Sequence, residues 1–236
     1  KLKPFESYTR YFNQIADSLK YFLPVSDADP KNPNAVQTPY LNVVANGVWR
    51  FAPDLSSTAF LEALSYRKNI TALNGVIQPE NPKDTAELVY RADAANIICH
   101  AEMEGSFERL KEKSFFEVLF SADSSNWITL YRAEGKTLTE KSFKLEFAKN
   151  DKINLARTRV HYFVKIRFKA AKKSEECVLR SLAIKTFTIV NPRTLPALTL
   201  GSNRVKFVTG TGNASNPAVA FHWSEAISEG ESFAIK

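Results

Sequence analysis

The segment Ser114–Tyr131, SFFEVLFSADSSNWITLY, constrains the fold of this chain more than any other segment. Phe116, Val118 and Phe120 recur at a period of two, which is typical of a β-strand with one buried face. The polar stretch that follows is made of Ser, Ala, Asp and Asn, and most of these side chains bond to their own backbone and favour turns. Residues 127–131 are mostly aromatic or β-branched and predict a second strand, so the segment predicts a β-hairpin.

The same alternation recurs throughout the second half of the chain. Further strands are predicted at Glu87–Arg91, Asn96–Met103, Phe143–Phe147, Val160–Phe168 and Cys177–Val190. Within the second of them, one face is expected to carry Ile97, Cys99, Ala101 and Met103. Turn-rich segments separate these runs, so successive strands are expected to pair antiparallel. About eight such strands predict a mainly β fold, an antiparallel two-sheet jelly-roll sandwich.

Helices are predicted only in the first third of the chain. Apolar residues recur at spacings of three and four over Phe5–Leu23, which predicts a short amphipathic N-terminal helix. The Pro-, Asp- and Asn-rich residues 27–39 predict an irregular arm. A second short helix is predicted over Thr58–Ser65, after a Pro-Asp-Leu-Ser-Ser opening.

These elements divide the chain into three expected segments. Residues 1–45 form the N-terminal helix and arm, residues 46–192 the β-sandwich, and residues 193–236 an additional C-terminal β segment. The last segment contains two strand-like runs, 197–209 and 218–223, which are too few to be stable alone. They are expected to pack on the sandwich or to begin a further domain. The first residue is not Met, so we expect either a removed signal peptide or a piece of a longer protein.

The order of helix, strands and a hairpin that carries Ser121, Asp123 and Trp127 resembles the galactose-binding-like, or discoidin, jelly-roll domains. The resemblance covers about residues 48–190. Such domains recur as accessory modules of secreted bacterial proteins, often beside carbohydrate-active enzymes. The resemblance implies glycan or surface binding at loop tips, and the family also contains modules with no known ligand. The hairpin is similar, too, to one degenerate sialidase Asp-box, but a propeller needs repeated copies.

The hairpin tip is the first candidate binding site. Exposed aromatic rings bind sugars because a ring face packs on the C–H face of a pyranose, while polar neighbours bond the hydroxyls. Trp127, with Asn126 and Asp123, has this combination of residues. The alternative is that Trp127 closes the end of the core.

The second candidate site lies in a basic segment. The net charge is +7, and residues 136–173 carry twelve Lys and Arg against three acids, while the rest carries twenty basic and twenty-two acidic residues. The outward face of the predicted strand in this segment has five residues: His161, Phe163, Lys165, Arg167 and Lys169. An aromatic ring among cations on a flat face fits a sulfated or uronic polysaccharide. The alternatives are nucleic acid, disfavoured because stacking aromatics are sparse, anionic lipid, and a solvated face that prevents aggregation.

The sequence predicts no catalytic residue, metal site or cofactor. His100, His161 and His222 lie on separate strand-like runs without the spacing of a metal or catalytic motif. Phosphate-loop, dinucleotide and nucleophile-elbow motifs do not occur in the sequence. Cys99 and Cys177 are too few for a structural zinc site, and they are expected to be either buried free thiols or a disulfide.

The sequence therefore predicts a non-catalytic accessory or binding module of a secreted, periplasmic or cell-surface protein, with carbohydrate, in particular anionic polysaccharide, as its ligand. The alternative is a structural module that packs against neighbouring domains or subunits and has no ligand of its own. A glycoside hydrolase or lyase fragment is a third, less favoured hypothesis. No apolar run approaches 18 residues, so no membrane span is expected.

Overall fold

A computed structural model describes residues 2–10, 20–23, 41–45, 47–135, 138–149, 153–189, 201–203 and 233–235. Their strands are β1 (Glu6–Arg10), β2 (Lys20–Leu23), β3 (Leu41–Val44), β4 (Gly47–Phe51), β5 (Leu64–Lys68), β6 (Ile70–Leu73), β7 (Val76–Pro79), β8 (Ala86–Asp93), β9 (Ile97–Arg109), β10 (Phe115–Ser121), β11 (Ile128–Ala133), β12 (Leu138–Glu146), β13 (Ala148–Lys149), β14 (Ile153–Asn154), β15 (His161–Lys169), β16 (Cys177–Ile189), β17 (Gly201–Asn203) and β18 (Phe233–Ile235). Short 3-10 helices span Thr58–Ala63 and Ser174–Glu176.

Two antiparallel sheets form a sandwich, which confirms the predicted fold class. The larger sheet has seven strands and is organised around β16. One edge of β16 pairs with β9, which in turn pairs with β12, and the other edge pairs with β4 and β7. Strand β1 extends the sheet beyond β4, and β6 extends it beyond β7. The smaller sheet has the order β11-β10-β15-β8-β5.

The core lies between the two sheets, and the hairpin supplies its centre as predicted. The inward faces of β10 and β15 are buried, with these members: Phe116, Val118, Phe120, Tyr162, Val164, Ile166 and Phe168. Phe116 of the smaller sheet stacks on Phe107 of the larger one, with ring centroids 4.1 Å apart. Burying a side chain of this size contributes roughly 1.5–3 kcal/mol, so these rings hold the two sheets together.

The face expected for the start of β9 is wrong in part because the strand contains an irregularity. Ala101 and Met103 face the core as expected, whereas Ile97 is 54% exposed and Ile98 is buried in the core instead. Phe187 and Thr188 are successive residues of β16, yet they lie opposite His100 and Ile98. Cys99 therefore has no residue opposite it in this strand pairing. An extra residue of this kind switches the side-chain alternation to the other face.

The helix expected over Phe5–Leu23 is wrong at both ends, where the chain forms β1 and β2, and residues 11–19 lie outside the described part of the chain. Strand β1 is paired with β4, and the Tyr8 ring lies 5.0 Å from the Trp49 ring. Glu6 accepts a hydrogen bond of 2.7 Å from the buried Tyr90 hydroxyl. Pairing with a sheet edge and these contacts outweigh the helical spacing of the apolar residues.

Other expectations are met in part. The second predicted helix is a 3-10 helix that ends at Ala63, and the chain then forms β5, β6 and β7, which the sequence patterns did not predict. In the C-terminal segment only β17 and β18 are described, and they pair in parallel. The irregular arm, the second C-terminal run and His222 lie outside the described residues. The division into three segments stays a prediction, and β1 is part of the larger sheet.

Both cysteines are buried free thiols, which confirms the first of the two sequence interpretations. Cys99 lies near the start of β9, and Cys177 pairs with Arg109 at the end of the same strand. Ten residues of extended chain separate these positions, a distance of roughly 33 Å. A disulfide requires Cα atoms within about 7 Å, so the two thiols do not meet.

Candidate functional site

The five outward residues predicted on β15 all lie on the outer face of the smaller sheet. Burial alternates strictly along the strand, and His161, Phe163, Lys165, Arg167 and Lys169 are each partly exposed. The alternation follows from the pleat, because the residues between them are fixed in the core. The five side chains therefore form a row on the outer face of a central strand of the smaller sheet, and a basic surface there stays a prediction.

The turn at the hairpin tip is organised by Asp123. Its Oδ1 atom accepts hydrogen bonds from the backbone N–H groups of Ser125 and Asn126 and from the Ser121 hydroxyl, at 2.9, 2.8 and 3.0 Å. Its Oδ2 atom accepts from Nδ2 of Asn126 at 2.9 Å. Hydrogen bonds from Asn126 first, then Ser125 and Ser121, hold the pKa of the Asp123 carboxyl well below its usual range. Asp123 and Asn126 thus shape the tip and present the next residue.

Trp127 lies on the outer side of the smaller sheet, so the interpretation that it supplies the core is wrong. It precedes β11, is partly buried and does not belong to the core cluster. The Lys165 ammonium group lies over its ring, with Nζ 3.9 Å from the ring centroid. The structure thereby brings the two predicted sites together, because the hairpin tip folds towards the outward face of β15.

Two cation–π pairs lie side by side on this face. The guanidinium of Arg91 lies over the Phe163 ring at 5.7 Å. Phe163 is the next outward residue of β15 before Lys165, so this pair adjoins the pair of Lys165 and Trp127. His161 meets the same Phe163 ring edge-on at 6.1 Å. We call the four residues Trp127, Lys165, Phe163 and Arg91 the Trp127 surface. Sequence patterns did not indicate Arg91, because its position depends on the pairing of β8 with β15.

The cations of the Trp127 surface differ in their partners. Arg91 forms an ion pair of 2.7 Å with Asp93. Lys165 makes no ion pair with any described residue, and its neighbours on the adjacent strands are Leu119 and Val89. The ammonium group of Lys165 therefore has donor capacity left for an anion, and the apolar neighbours below it reduce the competition from water.

Arg167 takes part in a row of alternating charges that crosses the sheet beside the Trp127 surface. Its guanidinium donates to Glu117 at 2.7 Å and to Glu87 at 2.9 Å. Glu117 also accepts from Arg132 at 3.0 Å and is only 2% exposed. Lys68 lies next to Glu87 in the register of β5 and β8. The charge of Arg167 is thus already shared by two carboxylates, so its ion pairs indicate a structural role.

A groove of about 860 Å³ lies on the outer face of the larger sheet, and sequence reasoning missed it. Its floor is made of small residues of β9 and β16, among them Ser106, Ser181 and Ala183, and the Ser106 and Ser181 hydroxyls are 2.9 Å apart. Longer side chains, including Arg50 and Lys144, stand at its sides. The only sequence signal is the run of small residues within strands, which leaves a trough where longer side chains flank it.

The described part of the chain shows no metal-ligand cluster beside these surfaces. Among the residues placed in the structure, no group of three or more His, Cys, Asp or Glu side chains is arranged to hold a metal ion. His100 lies on the larger sheet, where burial holds its pKa below the usual value although Glu146 and Glu102 oppose the shift. His161 lies on the smaller sheet, so the two histidines face opposite sides of the sandwich.

Comparisons with protein-family models and with curated proteins find no match. Solved structures that resemble the chain include the xylan-binding module CBM15, with a TM-score of 0.39 and 12% identity over 60% of this chain and 98% of that chain. A mutant of a family 29 carbohydrate-binding module has a TM-score of 0.34 and 10% identity over 61% and 98% of the two chains. A TmCBM61 complex with β-1,4-galactotriose has a TM-score of 0.26 and 7% identity over 78% and 83%. At such scores, the proposals below rest on the geometry of this chain alone, and membership of the galactose-binding-like family stays a prediction.

None of the helices among the described residues is long and apolar enough to cross a membrane.

Proposed function

We propose that this chain is a non-catalytic carbohydrate-binding β-sandwich module whose ligand is an acidic polysaccharide held on the Trp127 surface. The observation that carries the proposal is the position of Lys165 Nζ, 3.9 Å from the centre of the Trp127 ring, without an ion-pair partner among the described residues. It combines, at one place, the two groups that recognition of an acidic sugar requires: a ring and an available cation.

The chemistry follows from the geometry of the pair. The Trp127 ring occupies one side of the Lys165 ammonium group, and since no described residue accepts from its remaining N–H donors, they can bond a sugar carboxylate or sulfate. The partly exposed Phe163 ring lies at the next outward position of β15, two residues before Lys165, and the Arg91 guanidinium over it adds a second cation beside a ring. A ring, a cation and a second ring in series suit an extended chain of sugars better than a single small anion.

The experiment is chromatography and titration with sulfated and uronic polysaccharides, with heparin and alginate as probes. We expect retention of the wild-type chain that weakens steeply with added salt, because the contact is partly electrostatic. Lys165→Glu and Trp127→Ala should each lower affinity by about 10- to 100-fold, since a hydrogen bond to a charged group contributes roughly 1.5–3 kcal/mol. Trp127→Phe should retain part of the binding because it keeps a ring.

The matched control is Lys113→Glu, which makes the same change of charge on an exposed lysine at the opposite end of β10. If Lys113→Glu weakens retention as much as Lys165→Glu does, the interaction follows net charge and the proposed site is wrong. If neither polysaccharide is retained by the wild-type chain at low salt, the proposed ligand class is wrong as well.

We also propose that the module functions outside the cytoplasm, where such polysaccharides occur. The chemistry of the cysteines is compatible with an oxidising compartment. Cys99 and Cys177 are buried and far apart, and burial raises the pKa of each thiol to about 12, so neither forms the reactive thiolate. Fractionation of the native host with an antibody to this chain tests the location, and recovery in the cytoplasmic fraction alone would contradict it.

One observation favours the second candidate function, a module that packs against a neighbouring domain or subunit. Ile97 and Val160 are both about half exposed, and they lie close together because Ile98 N donates to Arg159 O at 2.7 Å. They form an apolar pair at one end of the sandwich. If this end is an interface, Ile97→Ser with Val160→Ser should abolish self-association or domain docking in sedimentation experiments on the longest available chain. An unchanged sedimentation profile would exclude that function for this end.

A further inference from the structure

The groove on the outer face of the larger sheet is a second candidate site, and it differs from the Trp127 surface in shape and charge. We propose that this groove binds an uncharged, hydroxyl-rich ligand, a short neutral oligosaccharide, independently of the Trp127 surface on the other sheet. Its volume of about 860 Å³ falls within the range of small-ligand sites, roughly 300–1,000 Å³.

The shape of the groove is fixed by the backbone of the sandwich. Ser106 and Ser181 face each other across the β9 and β16 pair at a point where the register of that pair shifts. Gly105 lies beside them, and a Cβ atom at this position would overlap the carbonyl oxygen of Ser181 and approach the Phe143 ring to 2.9 Å. The close approach of the two strands therefore requires glycine, and the row of serines lies on paired strands, while residues 52–55 and Gly75 of the connecting segments complete the lining.

The groove combines hydrogen-bond groups with a comparable share of apolar surface, as the surface of a neutral sugar also does. The two hydroxyls of Ser106 and Ser181 are 2.9 Å apart, and a hydroxyl that donates to its neighbour still accepts from a ligand. The Ser142 side chain of β12 continues the row as the cross-strand neighbour of Ser106. Three hydroxyls in a row can exchange hydrogen bonds with sugar hydroxyls, which both donate and accept.

The sides of the groove carry charges of both signs. Arg50 and Lys144 have no ion-pair partner among the residues described, whereas Arg180 is paired with Glu108 at 2.5 Å. Glu104 is close to half exposed beside Lys144, and its nearest cation is Lys185 at 3.9 Å. Mixed charges do not select an anion, but a guanidinium donates to two oxygens of a diol, and a carboxylate accepts from hydroxyls.

Strand pairing limits how a peptide could bind here. A peptide would add to a free strand edge or place anchor side chains in apolar pockets. Over the floor, β9 is paired on both edges, with β12 and with β16. The other edge of β16 pairs at Leu179 and at residues 184–188, so a peptide strand would have only residues 180–183 of β16 to pair with. A chain of sugars needs no backbone pairing and fits the row of hydroxyls better. The three strand spacings from Lys144 on β12 to Arg50 on β4 span roughly 14 Å, which suits an oligosaccharide better than a single sugar.

The salt dependence of ligand binding distinguishes this site from the Trp127 surface. Neutral oligosaccharides of three to six glucose, xylose, mannose or galactose units are titrated by calorimetry at roughly 0.01 and 1 M salt, where the screening length is about 30 and 3 Å. We expect at least one series to bind with an affinity that is the same at both salt concentrations. Failure of every series at millimolar concentration, or binding that salt abolishes, overturns the proposal.

Variants then locate the site. Ser181→Phe should fill the groove and abolish neutral oligosaccharide binding, while Ser106→Ala should weaken it about two- to tenfold through the loss of one hydrogen bond. Ser65→Phe, an exposed strand serine on β5 of the smaller sheet, is the matched control and should bind as the wild type does. Thermal unfolding shows whether Ser181→Phe is folded. If a folded Ser181→Phe still binds, the proposal is wrong.

The test of the groove can succeed or fail independently of the test of the Trp127 surface. Retention of Ser181→Phe on heparin should equal that of the wild type, because Ser181 and the Trp127 surface lie on different sheets. Neutral oligosaccharide binding without polyanion retention would contradict the Trp127 surface alone, and polyanion retention without neutral binding would contradict the groove alone.

Discussion

Glu117 provides the sharpest test of how the outer face of the smaller sheet is stabilised. Its side chain is 3% exposed and lies between two guanidinium groups, Arg167 at 2.7 Å and Arg132 at 3.0 Å. Each guanidinium is partly exposed and has a further carboxylate partner, Glu87 for Arg167 and Glu134 for Arg132. Loss of an arginine therefore removes a partner from a buried carboxylate, whereas loss of the carboxylate leaves each arginine with another ion pair.

This asymmetry predicts unequal losses of stability when the two ends of the same ion pair are removed. Arg167→Met keeps most of the alkyl chain and leaves Glu117 with one partner. Removing one member of a buried pair costs about 3–5 kcal/mol when the remaining charge is uncompensated, and Arg132 reduces this to about 2–3 kcal/mol. Glu117→Met leaves both arginines hydrated and paired with other carboxylates, so we expect a cost of about 1 kcal/mol or less.

The assay is urea unfolding of the wild type, both single variants and the double variant Glu117→Met with Arg167→Met. With a slope of about 2–3 kcal/mol/M for a domain of this size, Arg167→Met should lower the midpoint by about 1 M. The double variant should be more stable than Arg167→Met alone, because no buried carboxylate remains. If Glu117→Met is the more damaging single change, or if the double variant shows no rescue, the buried carboxylate does not control this face.

Three further predictions concern other parts of the fold. Cys99 and Cys177 should react with a thiol reagent only on unfolding, because burial raises the pKa of both thiols to about 12; rapid labelling of the native chain would contradict this. Burial lowers the pKa of His100, so the folded state binds its proton less readily than the unfolded state; the free energy of unfolding should fall as the pH drops below about 6.5, and His100→Gln should flatten that part of the profile. Gly105→Ala should destabilise the sandwich by about 1–3 kcal/mol in the same urea assay, because its Cβ would overlap the Ser181 carbonyl oxygen; wild-type stability would show that the strands can separate there.

The centre of the smaller sheet was largely predictable because apolar residues recur at a period of two on β10 and β15. The period of two on β10 and β15 identified the buried faces and the outward residues, including Lys165. The prediction failed where a tertiary contact overrides the local pattern. At Cys99 an extra residue in the pairing with β16 switches the face of the strand, and at Tyr8 pairing with β4 converts a helical spacing into a strand.

The candidate sites, too, were predictable from local patterns only in part. The sequence indicated Lys165 as an outward cation and Trp127 as an aromatic residue at the hairpin tip, but it placed them at separate sites and left open whether the Trp127 ring closes the core. Their contact depends on the Asp123 turn and on the register of β10 against β15, which places Lys165 opposite Leu119. The groove was beyond sequence reasoning because its residues come from strands far apart in the chain, such as Ser106 and Ser181.

The sequence by itself determined the class of fold, the core faces of the best strands and the excess of positive charge in one segment. These properties depend on local periodicity and composition, which any short window of the chain contains. Only the tertiary structure decided that Arg167 is held by two carboxylates while Lys165 is held by none among the described residues. Partners, burial and shape depend on which strands lie side by side, and strand pairing between distant segments is not encoded in any local pattern.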